Sequence, residues 1–413
     1  MELLKYLGFS VNTLFTITSA IVLLILVYFF TISVFGWKKR KENCKNIIPT
    51  NKYAIIIAAH NEETVIRNTI YSVKAMNYPE ENFEVYVVAD NCTDNTAQIA
   101  RDCGAVVYER FDAVKKGKGQ ALNWMLDILF ASENTYDAVC ILDADNLVSK
   151  DFLLQIDRKM QQGYKVVQGY RDMKNPWDSW ITSSYSITYW LANRLCQLPR
   201  QYLGMNCTLT GSGYAVSTDI LREIGWEIET LTEDVEFYFQ LCLNDIKIGW
   251  AHEAVIFDEQ PITLSQSWKQ RTRWMQGHFS CCFIYGKQVF SKLLEEKSLQ
   301  SFDTLIMLLY PFLYVVGSLL LGLQGMKTVL AQIDDVNLRT IIIFTAVSLC
   351  SFLLQNIYSF SVLVNEKKAN RNIIMGLIVL PIFNFTWIPI MVQGYLSRKN
   401  KDWAHIAHTS TAV

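Results

Sequence analysis

Long runs of uncharged, mostly apolar residues stand near both ends of the chain. Each run exceeds the about 20 residues that a helix needs to cross a hydrocarbon layer of about 30 Å. The pattern therefore predicts four membrane-spanning helices. The first run is longer than the apolar core of a secretory signal, and no small-x-small cleavage site follows it, so we interpret it as a retained anchor. The four runs are residues 6–37, 304–326, 340–364 and 373–397.

Basic residues beside these runs indicate how the chain is oriented. Residues 38–41 (KKRK) directly follow the first run. By the positive-inside rule, they place the N-terminus outside and the long middle region in the cytoplasm. The basic residues between 367 and 371 fit a second cytoplasmic loop, after the third run.

The last run does not fit this scheme. Three complete crossings after the middle region would leave Arg398 and Lys399 outside, against the same rule. Pro381 and Pro389 interrupt the run, and a broken or re-entrant helix is tolerated where it packs on protein. The sequence leaves open on which side the C-terminal tail lies.

In the middle region, short apolar runs alternate with segments of helical spacing. The runs are rich in Val and Ile, which is typical of strands buried on both faces of a sheet. The alternation predicts an α/β domain, Rossmann-like with a mainly parallel sheet, whose ligands gather beyond the carboxyl ends of the strands. The predicted strands are 53–59, 83–89 and 138–142, and the predicted helices are 62–76, 93–102 and 119–130.

Composition supports a membrane protein with one soluble domain. The chain is 51% hydrophobic and 19% charged, and its net charge of −1 gives no reason to expect a nucleic-acid partner. Its 10 cysteines are scattered without a C-x-x-C, so we expect reduced thiols. The predicted parts are an anchor (1–37), a cytosolic catalytic domain (44–280), interfacial amphipathic helices (277–302), a membrane region of three segments (303–397) and a polar tail (398–413).

Polar residues follow each predicted strand. His60 and Glu62 follow the first strand, Asp90 the second, and Asp143 and Asp145 the third. An i, i+2 pair of carboxylates leaving a strand points to one side, and hard oxygen ligands suit Mg²⁺ or Mn²⁺ when substrate phosphates complete the shell. The alternative is a turn in which an Asp caps the following helix. At this edge of the sheet we favour the metal site.

A basic glycine-containing loop, KKGKGQALN, opens a predicted helix and contains Lys118. An ammonium at a helix N-terminus suits a phosphate group, although a solvated basic loop would look the same. The loop is not a Walker A motif, and Gly211 and Gly213 lack a third glycine at Rossmann spacing. The ATPase and dehydrogenase functions are therefore disfavoured.

Two further motifs contain candidate catalytic residues. Thr232, Glu233 and Asp234 (TED) precede a predicted helix, either as an ordinary N-cap with acidic first-turn residues or with one carboxylate acting as general base. The QRTRW motif at 270–274 could grip a phosphate through Arg and offer the Trp face to a sugar ring. Arg and Trp near a bilayer are otherwise ordinary interfacial anchors.

Together these motifs resemble those of membrane-embedded glycosyltransferases of family 2. HNEE at 60–63, Asp90, the D-x-D pair, TED and QRTRW occur in the family's order and spacing. Over about residues 50–280 the chain is similar to the synthases of cellulose, chitin, hyaluronan and poly-N-acetylglucosamine.

The resemblance implies a GT-A fold, a nucleotide sugar donor, usually a UDP-sugar, and Mg²⁺ or Mn²⁺. It also implies the roles of individual residues. The implied donor-nucleotide contacts are Ala59, His60, Glu62, Asp90, Lys118 and Asp143. The implied metal ligands are Asp145 and Asp143. The implied catalytic residues are Asp234, as the base of an inverting displacement that gives a β-linkage, and the adjacent Glu233. The implied diphosphate and acceptor contacts are Gln270, Arg273 and Trp274.

The chain also departs from the family pattern. Ala89 stands where relatives have the first acid of a pair, and no counterpart of the gating-loop phenylalanine motif of cellulose synthase is evident. Residues 402–405 (DWAH) resemble a tryptophan-containing cytosolic tail in relatives, which favours a cytosolic C-terminus.

Two acceptors remain open. QRTRW favours elongation of a β-linked polysaccharide, and the alternative is transfer of a single sugar to a membrane lipid. A transporter with a regulatory nucleotide-binding domain is disfavoured because the predicted spans contain no ionisable residue. The expected partners are the donor, a glycan or lipid acceptor, membrane lipids, and an accessory membrane subunit or a second copy of the chain. The expected location is the cell membrane, with the catalytic domain in the cytoplasm.

Overall fold

Eight strands of the computed structural model, which describes residues 2–37, 48–331 and 338–400, form one mixed sheet. The strands are β1 (Tyr53–Ala59), β2 (Phe83–Asp90), β3 (Val106–Arg110), β4 (Ala138–Asp143), β5 (Leu147–Val148), β6 (Val166–Met173), β7 (Tyr214–Ser217) and β8 (Ile248–Asp258). Their order in the sheet is β3-β2-β1-β4-β7-β6-β8-β5. The pairs β3-β2, β2-β1, β1-β4 and β6-β8 are parallel, whereas β7 is antiparallel to both of its neighbours, and β5 is antiparallel to β8.

The predicted α/β fold is confirmed, and the predicted strands are observed with small extensions. The strand β2 includes Asp90 and β4 includes Asp143, so both carboxylates belong to the last residue of a strand. The first predicted helix begins at Ile66 and not at residue 62, because the chain after β1 turns through Asn61 with a φ of 55°. The loop 60–65 is therefore free to line a site.

Helices cover both faces of the sheet. Because successive strand side chains point to opposite faces, Ile56 belongs to one buried apolar cluster, and Ile55 and Ile57 belong to the other. This two-sided burial is why β1 contains uninterrupted apolar residues. The helices of the domain are α2 (Ile66–Lys74), α3 (Thr96–Asp102), α4 (Lys118–Ala131), α5 (Phe152–Gln161), α6 (Trp180–Ala192), α7 (Leu198–Leu203), α8 (Thr218–Ile224) and α9 (Glu233–Leu243). A π-helical turn, Asn193–Gln197, joins α6 to α7.

One long helix, α10 (Leu264–Glu296), leads from the domain toward the apolar end of the chain. It begins with a capping box, in which Thr263 and Gln266 satisfy each other's backbone N–H groups. The segment predicted as interfacial helices at 277–302 is the continuation of α10 and the start of the next helix. The residues of QRTRW and the first part of this segment, up to Glu296, therefore belong to one continuous helix.

The apolar helices are α1 (Glu2–Val34), α11 (Leu299–Ala331), α12 (Leu338–Asn365), α13 (Arg371–Phe385) and α14 (Trp387–Leu396). In the described part of the chain, three stretches are long and apolar enough to cross a membrane: Thr16–Val34, Leu299–Leu320 and Arg371–Leu396. The predicted run 340–364 lies in α12, several of whose side chains fall outside the description. The basic run 38–41 and residues 401–413 also lie outside the described residues.

A buried ion pair joins three helices at the junction between the domain and the apolar helices. Arg200 in α7 donates two hydrogen bonds to Asp303 in α11, at 3.0 and 2.9 Å, and both side chains are at most 1% exposed. The Tyr28 hydroxyl of α1 donates to the same carboxylate at 2.8 Å. With both ions removed from water, each one stabilises the structure only while its partner is present.

We expect Arg200→Met to destabilise the protein by about 3–5 kcal/mol, because it leaves the Asp303 carboxylate buried without a counter-charge. The measurement is thermal unfolding in detergent. Lys165→Met is the matched control: it removes an ion pair with Asp219 whose side chains are 53% and 73% exposed, and should change stability by less than about 1 kcal/mol. Equal melting temperatures for the two variants would contradict the structural role of the buried pair.

Candidate active site

A cavity of about 760 Å³ opens at the carboxyl ends of β1, β2 and β4. Loops from these strands form one wall, and the start of α9 and the first half of α10 form the other. Every site residue predicted from the sequence lines this cavity. They are Ala59, His60, Glu62, Asp90, Lys118, Asp143, Asp145, Glu233, Asp234, Gln270, Arg273 and Trp274.

The loops after β1 and β2 meet at one end of the cavity. The His60 Nδ1 atom lies 2.7 Å from the backbone oxygen of Asp90. The Asp90 carboxylate is buried and accepts a hydrogen bond from Arg110 Nη1 at 2.6 Å. Burial raises the pKa of Asp90 despite the opposing effect of Arg110. Arg110 ends β3, was not predicted as a site residue, and supplies a counter-charge for Asp90 and, at 3.1 Å, for Asp112.

Lys118 connects two motifs that lie far apart in sequence. Its Nζ atom lies 2.5 Å from an oxygen of Asp143 and 3.2 Å from an oxygen of Glu233, and it donates to the Gly211 backbone oxygen at 2.6 Å. Burial opposes the charge of Lys118, but the two carboxylates outweigh it and raise the pKa of the ammonium. The solvated-loop alternative for this lysine is therefore excluded by its contacts.

The D-x-D carboxylates do not cap a helix. The next helix, α5, has Asp151 at its N-cap position, and β5 stands between them. Asp145 is 3% exposed, and its Oδ2 atom accepts from the Glu259 backbone N–H at 3.2 Å. Both Asp143 and Asp145 line the cavity.

The donor set of this pair fits a divalent cation that is bound together with a phosphate group. No group of three or more His, Cys, Asp or Glu side chains with metal-site geometry occurs among the described residues. Mg²⁺ nevertheless takes only one or two carboxylates in many nucleotide sites, where substrate phosphates and water fill the other positions. Two carboxylates at a cavity wall satisfy that requirement.

Asp234 stands in the first turn of α9, facing the same cavity. Burial and the negative charge of Glu233 raise the pKa of Asp234 to about 7, against the opposing effects of Lys118 and Arg171. Thr232 occupies the N-cap position as predicted, but its side chain makes no capping hydrogen bond. The helix start is thus not an ordinary cap, and its acids are held at the cavity in a partly desolvated state.

Gly211 lies on the cavity wall that faces Asp234, and its lack of a side chain leaves the space beside the Asp234 carboxylate open. It has a φ of 85°, and a side-chain carbon placed there would lie 3.7 Å from Asp234 Oδ2 and 3.9 Å from Arg171 Nη1. Any larger residue would be strained in the backbone and would enter the space between these two groups.

The QRTRW residues enter the cavity from α10. Gln270 accepts a hydrogen bond from the Tyr185 hydroxyl at 3.1 Å, and Arg273 donates to the Leu231 backbone oxygen at 3.3 Å. The Trp274 ring packs edge-on against Tyr185, with the ring centres 6.2 Å apart. Both Arg273 and Trp274 are partly exposed and line the cavity.

Sequence reasoning missed the charged residues Arg171, Asp258 and Glu259 of this cavity. Arg171, near the end of β6, donates through Nε at 2.9 Å and through Nη2 to Asp258, the last residue of β8. Its guanidinium also donates to the Thr210 backbone oxygen at 2.6 Å and lies 4.9 Å from the Tyr189 ring centre. The local signal is weak, because Val166 and Val167 are followed by Gln168 and Gly169, which interrupt the apolar pattern of β6.

The sequence of the domain that contains this cavity is similar to that of a known protein family. The sequence profile described as "Glycosyltransferase like family 2" matches residues 49–277, which contain all of the strands. The chain belongs to glycosyltransferase family 2. The predicted family and the predicted enzyme class are therefore confirmed.

Curated relatives of this glycosyltransferase include enzymes with different acceptors. It is 26% identical over 333 residues to the probable glycosyltransferase YdaM of Bacillus subtilis, covering 74% of this chain and 75% of YdaM. It is 26% identical to the beta-monoglucosyldiacylglycerol synthase of Nostoc sp., over 62% of this chain and 54% of the relative. It is 28% identical to the poly-beta-1,6-N-acetyl-D-glucosamine synthase of Staphylococcus epidermidis, over 54% of each. The glycosyltransferase thus spans about half the length of the last two.

A solved structure shares the fold. The mannosyltransferase PcManGT from Pyrobaculum calidifontis, solved in complex with GDP-Man and Mn²⁺, superposes with a TM-score of 0.56 over 89% of this chain and 99% of that one. The sequence identity is 16%, so the likeness is one of fold. It confirms the predicted GT-A class.

Proposed function

We propose that this enzyme transfers a sugar from a nucleotide sugar, by resemblance a UDP-sugar, to a membrane-associated acceptor with inversion at the anomeric carbon. The observation that carries the proposal is the convergence of all predicted site residues on one cavity, where Lys118 joins Asp143 to Glu233. These residues come from six separate segments of the chain: 59–62, 90, 118, 143–145, 233–234 and 270–274.

The donor would occupy the end of the cavity formed by β1, β2 and β4. His60 and Asp90 would contact the nucleoside, and Lys118 would stand beside the diphosphate. Asp143 and Asp145 would hold Mg²⁺ or Mn²⁺, whose chemistry is to neutralise the charge of the diphosphate as it leaves. The complex of PcManGT with GDP-Man and Mn²⁺ is consistent with such a donor end.

Asp234 would be the general base. A base is most effective when its pKa lies near the working pH, and the raised pKa of Asp234 meets this condition. As the acceptor oxygen attacks the anomeric carbon, its proton passes to Asp234, and the bond between that carbon and the diphosphate oxygen breaks on the opposite face. The nucleoside diphosphate leaves, and the product has the β-linkage.

The acceptor that we favour is the end of a growing β-linked glycan. The Trp274 ring at the cavity suits the apolar face of a sugar, and Arg273 stands beside it. The second candidate is a membrane lipid. It is favoured by the apolar residues Leu231 and Met275 in the same wall and by the exposed Phe283 further along α10.

If Asp145 holds the metal, Asp145→Asn should lower sugar transfer by at least about 100-fold, because several kcal/mol of charge stabilisation would be lost. Metal-dependent binding of the nucleotide should weaken in parallel, as measured by calorimetry with and without Mg²⁺. Asp151→Asn, at the exposed start of α5, is the matched control and should retain activity. Full turnover of the wild type in the presence of a chelator would defeat the metal assignment.

For the base, we expect Asp234→Asn to lower the transfer rate by about 10²–10⁴-fold while donor affinity stays nearly unchanged. Since only the carboxylate accepts a proton, wild-type activity should fall as the pH drops below about 7, the pKa of Asp234. Rate profiles and donor titrations measure both effects, with Asp127→Asn on the exposed face of α4 as control. A variant that keeps wild-type transfer would show that another group is the base.

The acceptor is tested with purified enzyme in lipid vesicles, Mg²⁺ or Mn²⁺, and a panel of radiolabelled UDP- and GDP-sugars. A ladder of long products identifies a glycan synthase, and one labelled lipid identifies the second candidate. In the first case, Trp274→Ala should impair transfer to glycan more than donor hydrolysis, because it removes the stacking surface. Equal losses in both reactions would argue against stacking on this ring.

A further inference from the structure

The last apolar segment, α13 and α14, is long and apolar enough to cross a membrane. Its contacts with the catalytic domain, however, indicate that it lies along the domain. Its beginning is held by the domain. Glu366, in the turn that joins α12 to α13, pairs with Arg194 at 2.8 Å, with both side chains 5% exposed. Lys368 pairs with Asp172 of β6 and lies 5.2 Å from the Trp190 ring centre.

From this point α13 runs along α6, back toward the start of that helix. Gly376 of α13 lies against Ile187 of α6, so closely that a side-chain carbon would come within 2.6 Å. Further on, the Phe383 ring packs edge-on against Tyr185, 5.0 Å between centres. The helix partner of α13 is therefore α6 over most of its length.

The helix α6 itself is attached to the domain at both ends. At its start, Ser179 donates to the Ile262 backbone oxygen at 2.7 Å, just after β8. At its end, Asn193 donates to the Arg171 backbone oxygen at 2.9 Å, and Trp190 donates to Asp172 at 2.7 Å. Both ends of α6 are thus hydrogen-bonded to the domain, one to the segment after β8 and the other to β6, so α6 lies along the domain and α13 packs beside it.

The break between α13 and α14 is also held by the domain. Arg271, a wholly buried residue of α10, donates to the Thr386 hydroxyl at 2.8 Å. Its guanidinium lies 4.2 Å from the Phe383 ring centre and 4.9 Å from that of Trp387. Among the described residues no carboxylate pairs with this cation, so the aromatic rings on both sides of the break are its main electrostatic partners.

The end of α14 returns to α10. Trp268 donates to Gln393 at 2.6 Å, and Gln276 donates to the Ser397 hydroxyl and backbone oxygen at 3.0 and 3.1 Å. The Arg398 guanidinium lies 4.7 Å from the Phe283 ring centre. If this segment crossed the hydrocarbon layer, its end would lie about 30 Å from its start, on the opposite side of the membrane from the catalytic domain. Instead, the end of α14 contacts α10.

The outer face of α13 is apolar and exposed. Ile374, Ile378, Ile382 and Phe385 recur at helical spacing and are 52–72% exposed, whereas the residues facing α6 are buried. With 15 and 10 residues, α13 and α14 are about 22 and 15 Å long, so neither spans a bilayer alone. The Tyr314 hydroxyl of α11 donates to Asn384 at 3.0 Å, so this surface is continuous with a candidate span.

We propose that α13 and α14 form a broken helix that does not cross the membrane, but lies between the catalytic domain and the adjacent lipid leaflet. Its outer face binds the leaflet, and its inner face holds α10 through Arg271. The chain after α14 then returns to the side of the catalytic domain, in keeping with the basic residues Arg398 and Lys399.

The experiment uses the full chain in sealed vesicles of both orientations and a membrane-impermeant maleimide. Single cysteines are introduced as Asn400→Cys, after α14, and as Asp219→Cys, on the exposed surface of the catalytic domain. All variants also have Cys350→Ser, because Cys350 is an exposed thiol, and the parent protein gives the background. Labelling in detergent, where both sides of the protein are accessible, gives the maximum labelling of each cysteine.

We expect both cysteines to be labelled in the same vesicle orientation and protected in the other. Labelling of Asn400→Cys only in the opposite orientation would overturn the proposal. A spin label at Ile382→Cys tests the outer face independently. It should collide more with oxygen, which dissolves in lipid, than with an aqueous nickel reagent, and the reverse result would exclude contact with the leaflet.

Discussion

The charge of Lys118 is the constraint on which this catalytic cavity depends. Asp143 ends a strand and Glu233 begins a helix, yet both carboxylates lie within 3.2 Å of the same ammonium. Without a cation between them, several acids facing one partly desolvated space would repel each other and become protonated. Arg171 and Arg110 act in the same way at the other acids, through Asp258 and Asp90. The cavity is therefore a balanced set of charges, in which Asp234 is the acid whose pKa is moved furthest toward neutrality.

The part of this arrangement that could be predicted from the sequence follows from local rules. Buried parallel strands have an unmistakable apolar pattern, so β1, β2 and β4 were found together with the acids at their ends. The open-sheet rule then places those acids at one edge. Glu233 and Asp234 could be joined to them only through the resemblance to a family, because nothing local indicates that α9 begins opposite β4.

Other parts could not be predicted because they depend on pairing between distant segments. Arg171 and Asp258 form an ion pair across β6 and β8, two parallel neighbours that are joined to the rest of the sheet only through the antiparallel β7. A short strand of four residues has little periodicity to detect. The contact of Arg110 with Asp90 arises in the same way, from the pairing of β2 with β3. The charged site residues that the sequence did not predict therefore share one feature: they lie near the ends of strands whose pattern was too weak to recognise.

The rigid helix α10 gives a physical link between the lipid side of the molecule and the chemistry. Gly277 of α10 lies so close to Thr232 that a side-chain carbon there would come within 2.1 Å of its hydroxyl. Thr232 immediately precedes Glu233 and Asp234, so a shift of α10 along or about its axis would displace the turn that contains Asp234, the proposed base. The same helix bears Gln270 and Trp274 at the cavity and Arg271 at the break between α13 and α14. Since packed elements cannot deform independently, the positions of Asp234, the proposed base, and of Gln270 and Trp274, the proposed acceptor contacts, are set together by how α10 packs on its apolar neighbours. If the proposed roles are right, contact of both groups with one helix holds the proposed base and the proposed acceptor contacts in a fixed relative geometry.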